Sequence, residues 1–76
     1  MCGIAGILNS GTAEPARLVS DMIETMRYRG PDDSGTWAEA AAGLGLGHAR
    51  LSILDVSSEG HQPMVSTGGR YVITFN

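Results

Sequence analysis

From residue 44 to residue 51 the chain reads Leu44-Gly45-Leu46-Gly47-His48-Ala49-Arg50-Leu51, with glycine or alanine in every second place. Strand alternation sends Leu44, Leu46, His48 and Arg50 to one face and Gly45, Gly47 and Ala49 to the other. One face is then nearly bare of side chains, so that a second layer or a ligand can lie close to the backbone. The opposite face starts with two leucines and ends with a histidine and an arginine. A charge at the end of an apolar face needs a partner. An internal salt bridge and a bound carboxylate would both answer that need.

Other segments have their own signatures. Cys2-Gly3-Ile4-Ala5-Gly6-Ile7-Leu8 is short and apolar and suits a buried strand, with Gly3 and Gly6 marking close backbone approach. Asn9-Ser10-Gly11 marks a turn. A helix is expected over about 15–28. Pro15 belongs in its first turn, Thr12 or Glu14 is available as a cap, and Gly30-Pro31 stops it. Leu18, Val19, Met22, Ile23 and Met26 recur on one face of that helix, and Arg17, Ser20, Asp21 and Glu24 on the other. Pro31-Asp32-Asp33-Ser34-Gly35 has the composition of a turn. Thr36-Trp37-Ala38 opens a strand, and Ala40-Ala41-Ala42 is ambiguous, with a loop as one reading. Residues 52–56 continue as a strand or extended loop, 57–63 form a polar loop, and Thr67-Gly68-Gly69 is a turn. The final Tyr71-Val72-Ile73-Thr74-Phe75-Asn76 is a strong β run on which the chain stops, as a fragment of a longer polypeptide would. The expected class is α+β, with one helix and about four to five short strands.

Bulk properties exclude several functions. A 76-residue chain is one small domain at most, and its single cysteine cannot pair internally. That fits a reducing compartment, and a cytoplasmic location is expected. The net charge is -3, with arginine as the only basic residue type besides histidine, and there is no basic stripe for a nucleic-acid backbone. No apolar run reaches the roughly 20 residues that cross a membrane, and the N-terminus lacks the pattern of a signal peptide. Neither nucleic acid nor membrane is expected as a partner.

Cys2 directly follows Met1. If Met1 is removed, one residue carries both a thiol and a free amine. An α-amine has a pKa of roughly 7.7–8.0 and a free thiol one near 8.5, so about a tenth of the amine is free base at neutral pH. That amine can take the thiol proton directly or through a water, and no histidine is required. With Met1 retained the nitrogen is an amide, and nothing places His48 or His61 beside Cys2. An acyl-transfer site also needs an oxyanion donor. Asparagine amides serve that role, and Asn9 and Asn76 are the candidates. Asn9 fits its turn, whereas Asn76 ends an apolar strand. Arg50 offers a planar fork suited to a carboxylate.

These residues fall into blocks. Met1-Cys2-Gly3-Ile4-Ala5-Gly6-Ile7 resembles the start of class II, N-terminal-nucleophile glutamine amidotransferases. Met26-Arg27-Tyr28-Arg29-Gly30-Pro31-Asp32-Asp33-Ser34-Gly35 resembles the next block. Gly47-His48-Ala49-Arg50-Leu51-Ser52-Ile53-Leu54-Asp55 and Gly60-His61-Gln62-Pro63-Met64 resemble two more, and Phe75-Asn76 the start of an Asn-Gly-Glu segment. Each block is moderately specific; the five in order over essentially the whole chain are highly specific. Arg29-Gly30-Pro31-Asp32 and Gly60-His61-Gln62-Pro63 are most similar to asparagine synthetases.

The resemblance implies that residues 1–76 are the N-terminal part of a type 2 glutamine amidotransferase domain, itself a four-layer αββα Ntn-hydrolase sandwich more than twice as long. It implies that Cys2 attacks the glutamine side-chain amide and that Asn76 donates to the oxyanion. Arg50 would hold the glutamine α-carboxylate, with Leu51, Ser52, Ile53 and Leu54 lining the site. Arg29 and Asp32 read as a turn-fixing pair, and His48 and His61 as structural. No cofactor or metal is expected in this segment. ATP and magnesium are implied for an absent synthetase domain, which would amidate aspartate. The glycine and the acidic residue that follow the asparagine in the family are missing, so the segment alone is expected to have little or no glutaminase activity. Two alternatives stay open: a related amidotransferase with another acceptor, and a non-enzymatic α+β piece with an inert Cys2 that self-associates as a homo-oligomer.

Overall fold

The computed structural model describes residues 2–8, 11, 14–51 and 60–75. Met1, Asn9, Thr12, Ser52, Ile53, Leu54 and Asn76 lie outside them, as do the expected strand over 52–56 and most of the polar loop after it.

Three antiparallel strands make the main sheet: β1 (Gly3–Ile7), β2 (Asp33–Glu39) and β3 (Leu44–Arg50), in the order β1-β3-β2. The glycine-alternating segment is therefore the central strand. Its register sets Gly3 against Ala49 and Ile7 against Gly45 on one side, and Asp33 against Arg50 and Glu39 against Leu44 on the other. The bare face is covered by the helix α1 (Pro15–Glu24), which packs across all three strands. A Cβ on Gly47 would stand 2.6 Å from both Ile23 and Val19, and one on Gly45 would stand 2.7 Å from Val19. The absence of side chains there lets the helix sit directly on the backbone. Val19, Ile23 and Ala49 form the buried core, with Ala5, Ile7 and Met26 packed around it.

The helix is shorter than expected. It stops at Glu24 rather than near 28, and residues 25–29 continue in tighter turns. Met26, Arg27, Arg29 and Gly30 each donate to the carbonyl three residues back, a closer spacing than an α-helix uses. Thr25, β-branched, bonds the Met22 carbonyl at 2.7 Å through its hydroxyl. The apolar face is also split. Val19 and Ile23 are buried with Pro15, whereas Leu18 and Met22 stay 43% and 39% exposed. Glu14 occupies the cap position without a side-chain cap bond.

Residues 33–35 are strand instead of turn. Ser34 and Gly35 pair with Ala49 and His48, so pairing with the central strand overrides their turn-like composition. Ala40–Ala42 is a 3-10 turn closed by Gly43 in the left-handed region at φ 64°. A second, two-stranded sheet joins β4 (Met64–Val65) to β5 (Val72–Ile73), with the turn over Thr67-Gly68-Gly69 between them. The expected strand over 71–75 thus narrows to two residues. The architecture is α+β with one helix and five short antiparallel strands among the described residues. No helix among them is long and apolar enough to cross a membrane.

Candidate active site

Because Arg50 is the last residue of β3 and Gly3 pairs with Ala49, the ladder delivers Cys2 to the end of the central strand. There the Leu51 N–H donates to the Cys2 sulfur at 3.4 Å, and the thiol lies 3.9 Å from the Leu51 carbonyl. The thiol is half-buried. The N–H contact survives ionisation of the thiol, since a thiolate accepts but cannot donate. Cys2, Arg50 and Leu51 are therefore brought together. Ser52, Ile53, Leu54 and Asn76 lie outside the described residues.

Two loops converge on Arg50, which is 9% exposed. Gly30 lies against the Ala49–Arg50 backbone so closely that a Cβ would collide with it. The next turn is tied on by the Asp32 N–H, which donates to the Arg50 carbonyl at 3.0 Å. Gly60 lies close against the guanidinium, where a Cβ would stand 2.6 Å from Cζ and 3.0 Å from Nη1. Asp33 faces Arg50 across the ladder. Its carboxylate is bonded to His61 Nδ1 at 2.6 Å, and this bond, with the charges of His61 and Arg50, holds its pKa below the usual carboxylate value. The need of the Arg50 charge for a partner is thus met partly within the chain.

His48 is 1% exposed, and its Nε2–H donates to the Phe75 carbonyl at 3.1 Å. Burial pushes its pKa down, so the ring is neutral near pH 7 and carries its proton on Nε2. His48 is bonded to the Phe75 carbonyl and His61 to the Asp33 carboxylate. Gln62, buried, was not singled out by its position in the sequence. Its Oε1 accepts the Phe75 N–H at 2.8 Å and the Thr74 hydroxyl at 3.4 Å. The sequence itself shows only an amide directly before Pro63 in a polar loop. Among the described residues no three His, Cys, Asp or Glu side chains gather as metal ligands.

A model of the glutamine amidotransferase domain family matches residues 1–76. The chain belongs to that family. Among curated relatives, a Methanocaldococcus jannaschii protein named provisionally as glutamine-hydrolyzing asparagine synthetase 2 is 44% identical over 84% of this chain and 13% of its own length. Glutamine-hydrolyzing asparagine synthetase 3 of Bacillus subtilis is 36% identical over all of this chain and 12% of its own length. Amidase chry2 of Gibberella zeae is 34% identical over 83% of this chain and 11% of its own length. The amidotransferase segment thus spans about an eighth of the length of these relatives. No solved structure matches it.

Proposed function

We propose that this chain is the glutaminase part of an ATP-dependent amidotransferase of the asparagine synthetase kind. The observation that carries the reading is the Cys2 sulfur held by the Leu51 N–H at the end of β3, beside the buried Arg50. With Met1 removed, the α-amine of Cys2 takes the thiol proton. The sulfur attacks the glutamine side-chain carbonyl carbon, and the oxyanion that forms accepts from the Asn76 amide. The C–N bond then breaks, the proton passes to the departing nitrogen, and ammonia leaves. Water cleaves the remaining thioester to glutamate and free thiol. Arg50 receives the glutamine α-carboxylate, with residues 51–54 lining the site.

In this reading the fold is the first part of an Ntn-hydrolase sandwich. ATP and magnesium act in a synthetase part outside this segment, where ammonia meets aspartate in a reducing, cytoplasmic setting. A second version has the same glutaminase chemistry feed another acceptor. The test is glutamine hydrolysis by the full-length polypeptide carrying this segment, together with its intact mass. Loss of one methionine and abolition of hydrolysis by Cys2→Ala are expected. Hydrolysis that survives Cys2→Ala would sink the reading. The 76-residue chain alone is expected to release little or no ammonia.

A further inference from the structure

Asp33 stands directly opposite Arg50 in the ladder between β2 and β3, so the two side chains leave the same face of the sheet. Cβ atoms at such a pair of positions are ordinarily about 4.5–5.5 Å apart, and opposite charges there attract. A guanidinium and a carboxylate within that reach can close into a forked ion pair. Both oxygens of the Asp33 carboxylate are bonded elsewhere. Oδ1 accepts the Ser34 N–H at 2.9 Å, and Oδ2 accepts from His61 Nδ1 at 2.6 Å. An ionised carboxylate only accepts, so Nδ1 carries the proton. Of the influences that lower the Asp33 pKa, the bond to His61 is the largest and the charge of Arg50 the smallest.

The sequence makes room for this bond. Gly35, two residues along β2, shares a face with Asp33, and a Cβ there would stand 2.6 Å from His61 Nε2 and 2.8 Å from Cε1. The bare backbone lets the imidazole lie on the strand and reach Asp33. Gly60, the residue before His61, lies against the Arg50 guanidinium. One short stretch thus meets both the clamp and the acid that faces it. Stability does not explain the pair. Its side chains are 47% and 33% exposed, and charged pairs so open to water contribute little.

We infer that His61 is a positioning residue for substrate binding: it holds the Asp33 carboxylate away from Arg50, so that Asp33 does not compete with the glutamine α-carboxylate for the guanidinium. The inference rests on the glutaminase reading above, in which Arg50 is the carboxylate clamp. It adds an internal rival and the side chain that restrains it. The α-carboxylate is remote from the bond that breaks. Its contact with Arg50 therefore serves ground state and transition state alike, and weakening it acts on KM.

The test is steady-state glutamine hydrolysis by the full-length polypeptide. His61→Ala releases Asp33 and should raise KM for glutamine by about tenfold, roughly the loss of one charge-assisted hydrogen bond, with kcat changed less than about threefold. His61→Asn keeps an N–H for Asp33 and should bring KM back to within about threefold of the native value. Adding Asp33→Asn to His61→Ala removes the charge of the rival and should undo most of the rise. If the alanine variant does not fold, His61→Phe, which keeps a ring against Gly35 without the donor, is read in the same way.

An unchanged KM in His61→Ala would overturn the inference. So would a loss confined to kcat or a loss that His61→Asn does not repair. A loss that Asp33→Asn leaves in place would overturn it too, since the bond would then serve only to seat the loop. Cys2→Ala is measured in parallel. Hydrolysis that persists there removes the glutaminase reading itself. Hydrolysis abolished there, with KM indifferent to His61→Ala, removes only the role of His61.

Discussion

His48 has 1% of its surface exposed, and its Nε2–H meets the Phe75 carbonyl, so a second proton would place a charge in the interior. Burial lowers its pKa from 6.5, against the smaller upward pull of the Phe75 carbonyl. Below 6.5 the unfolded chain takes up a proton that the folded chain refuses. This contribution to stability is complete above pH 6.5 and is lost as pH falls from there through the folded pKa. Arg50, Asp33 and His61 also act on the ring electrostatically. His48→Gln keeps a donor for Phe75 without the titration, and denaturant midpoints measured from pH 7 to pH 5 should fall less steeply in the variant than in the native chain. Asp33 titrates lower: its pKa is already below 3.8, so its own contribution is lost only in more acidic solution. Gly60 gives a second prediction at this scale. The three atoms a methyl group there would meet first all belong to the Arg50 guanidinium, the far end of a long side chain. Gly60→Ala should therefore leave the fold nearly as stable while raising KM for glutamine by about tenfold in the full-length polypeptide, the worth of one charge-assisted carboxylate contact. Steady-state kinetics beside a denaturation curve would separate the two effects.

The central strand shows how far one element can be read from residue order. The alternation over 44–50 foretold a bare face and a close second layer, and α1 lies there. It did not say whether helix or ligand would occupy the space, because small residues record only that something is near. Gly47→Ala should cost about 1–3 kcal/mol, since its methyl would press on Ile23 and Val19 in the core. Urea denaturation measures it. Elsewhere local signals were overridden. Residues 33–35 look like a turn until paired with 48–50, and pairing across the sheet is invisible to composition. Apolar spacing carried the expected helix on to about 28, but the three-back hydrogen bonds after Glu24 tighten that path. At the site, Cys2 and Arg50 were legible because their chemistry is carried by residue type. The Gln62 contact was not, because a bond to the backbone of a residue 13 positions away is not carried by residue type.

As a whole, the molecule is a slab of 37 × 30 × 14 Å, one helix on one sheet with a small hairpin sheet alongside. A two-layer slab has two faces, and among the described residues the helix covers one side of the main sheet. Val65, Ile73 and Phe75 are 52%, 55% and 50% exposed, and Ile4 at the sheet edge is 47% exposed. A chain this small has little core to spare against such exposure. The isolated 76-residue chain should associate with rising concentration in sedimentation velocity. A single monomeric species throughout the micromolar range would count against burial of these residues by further chain or by a second copy.

The five-pair register between β1 and β3 also acts as a reading frame for chemistry. Side chains alternate between faces, so a slip of one residue in β1 would exchange the two faces wholesale. Ile4 would turn toward α1, into space now left by Gly3 beside Met26, and the thiol would leave the Leu51 amide. The short run from Gly3 to Ile7 is thus a spacer of fixed length, intolerant of a single inserted or deleted residue even where every individual side chain could be exchanged.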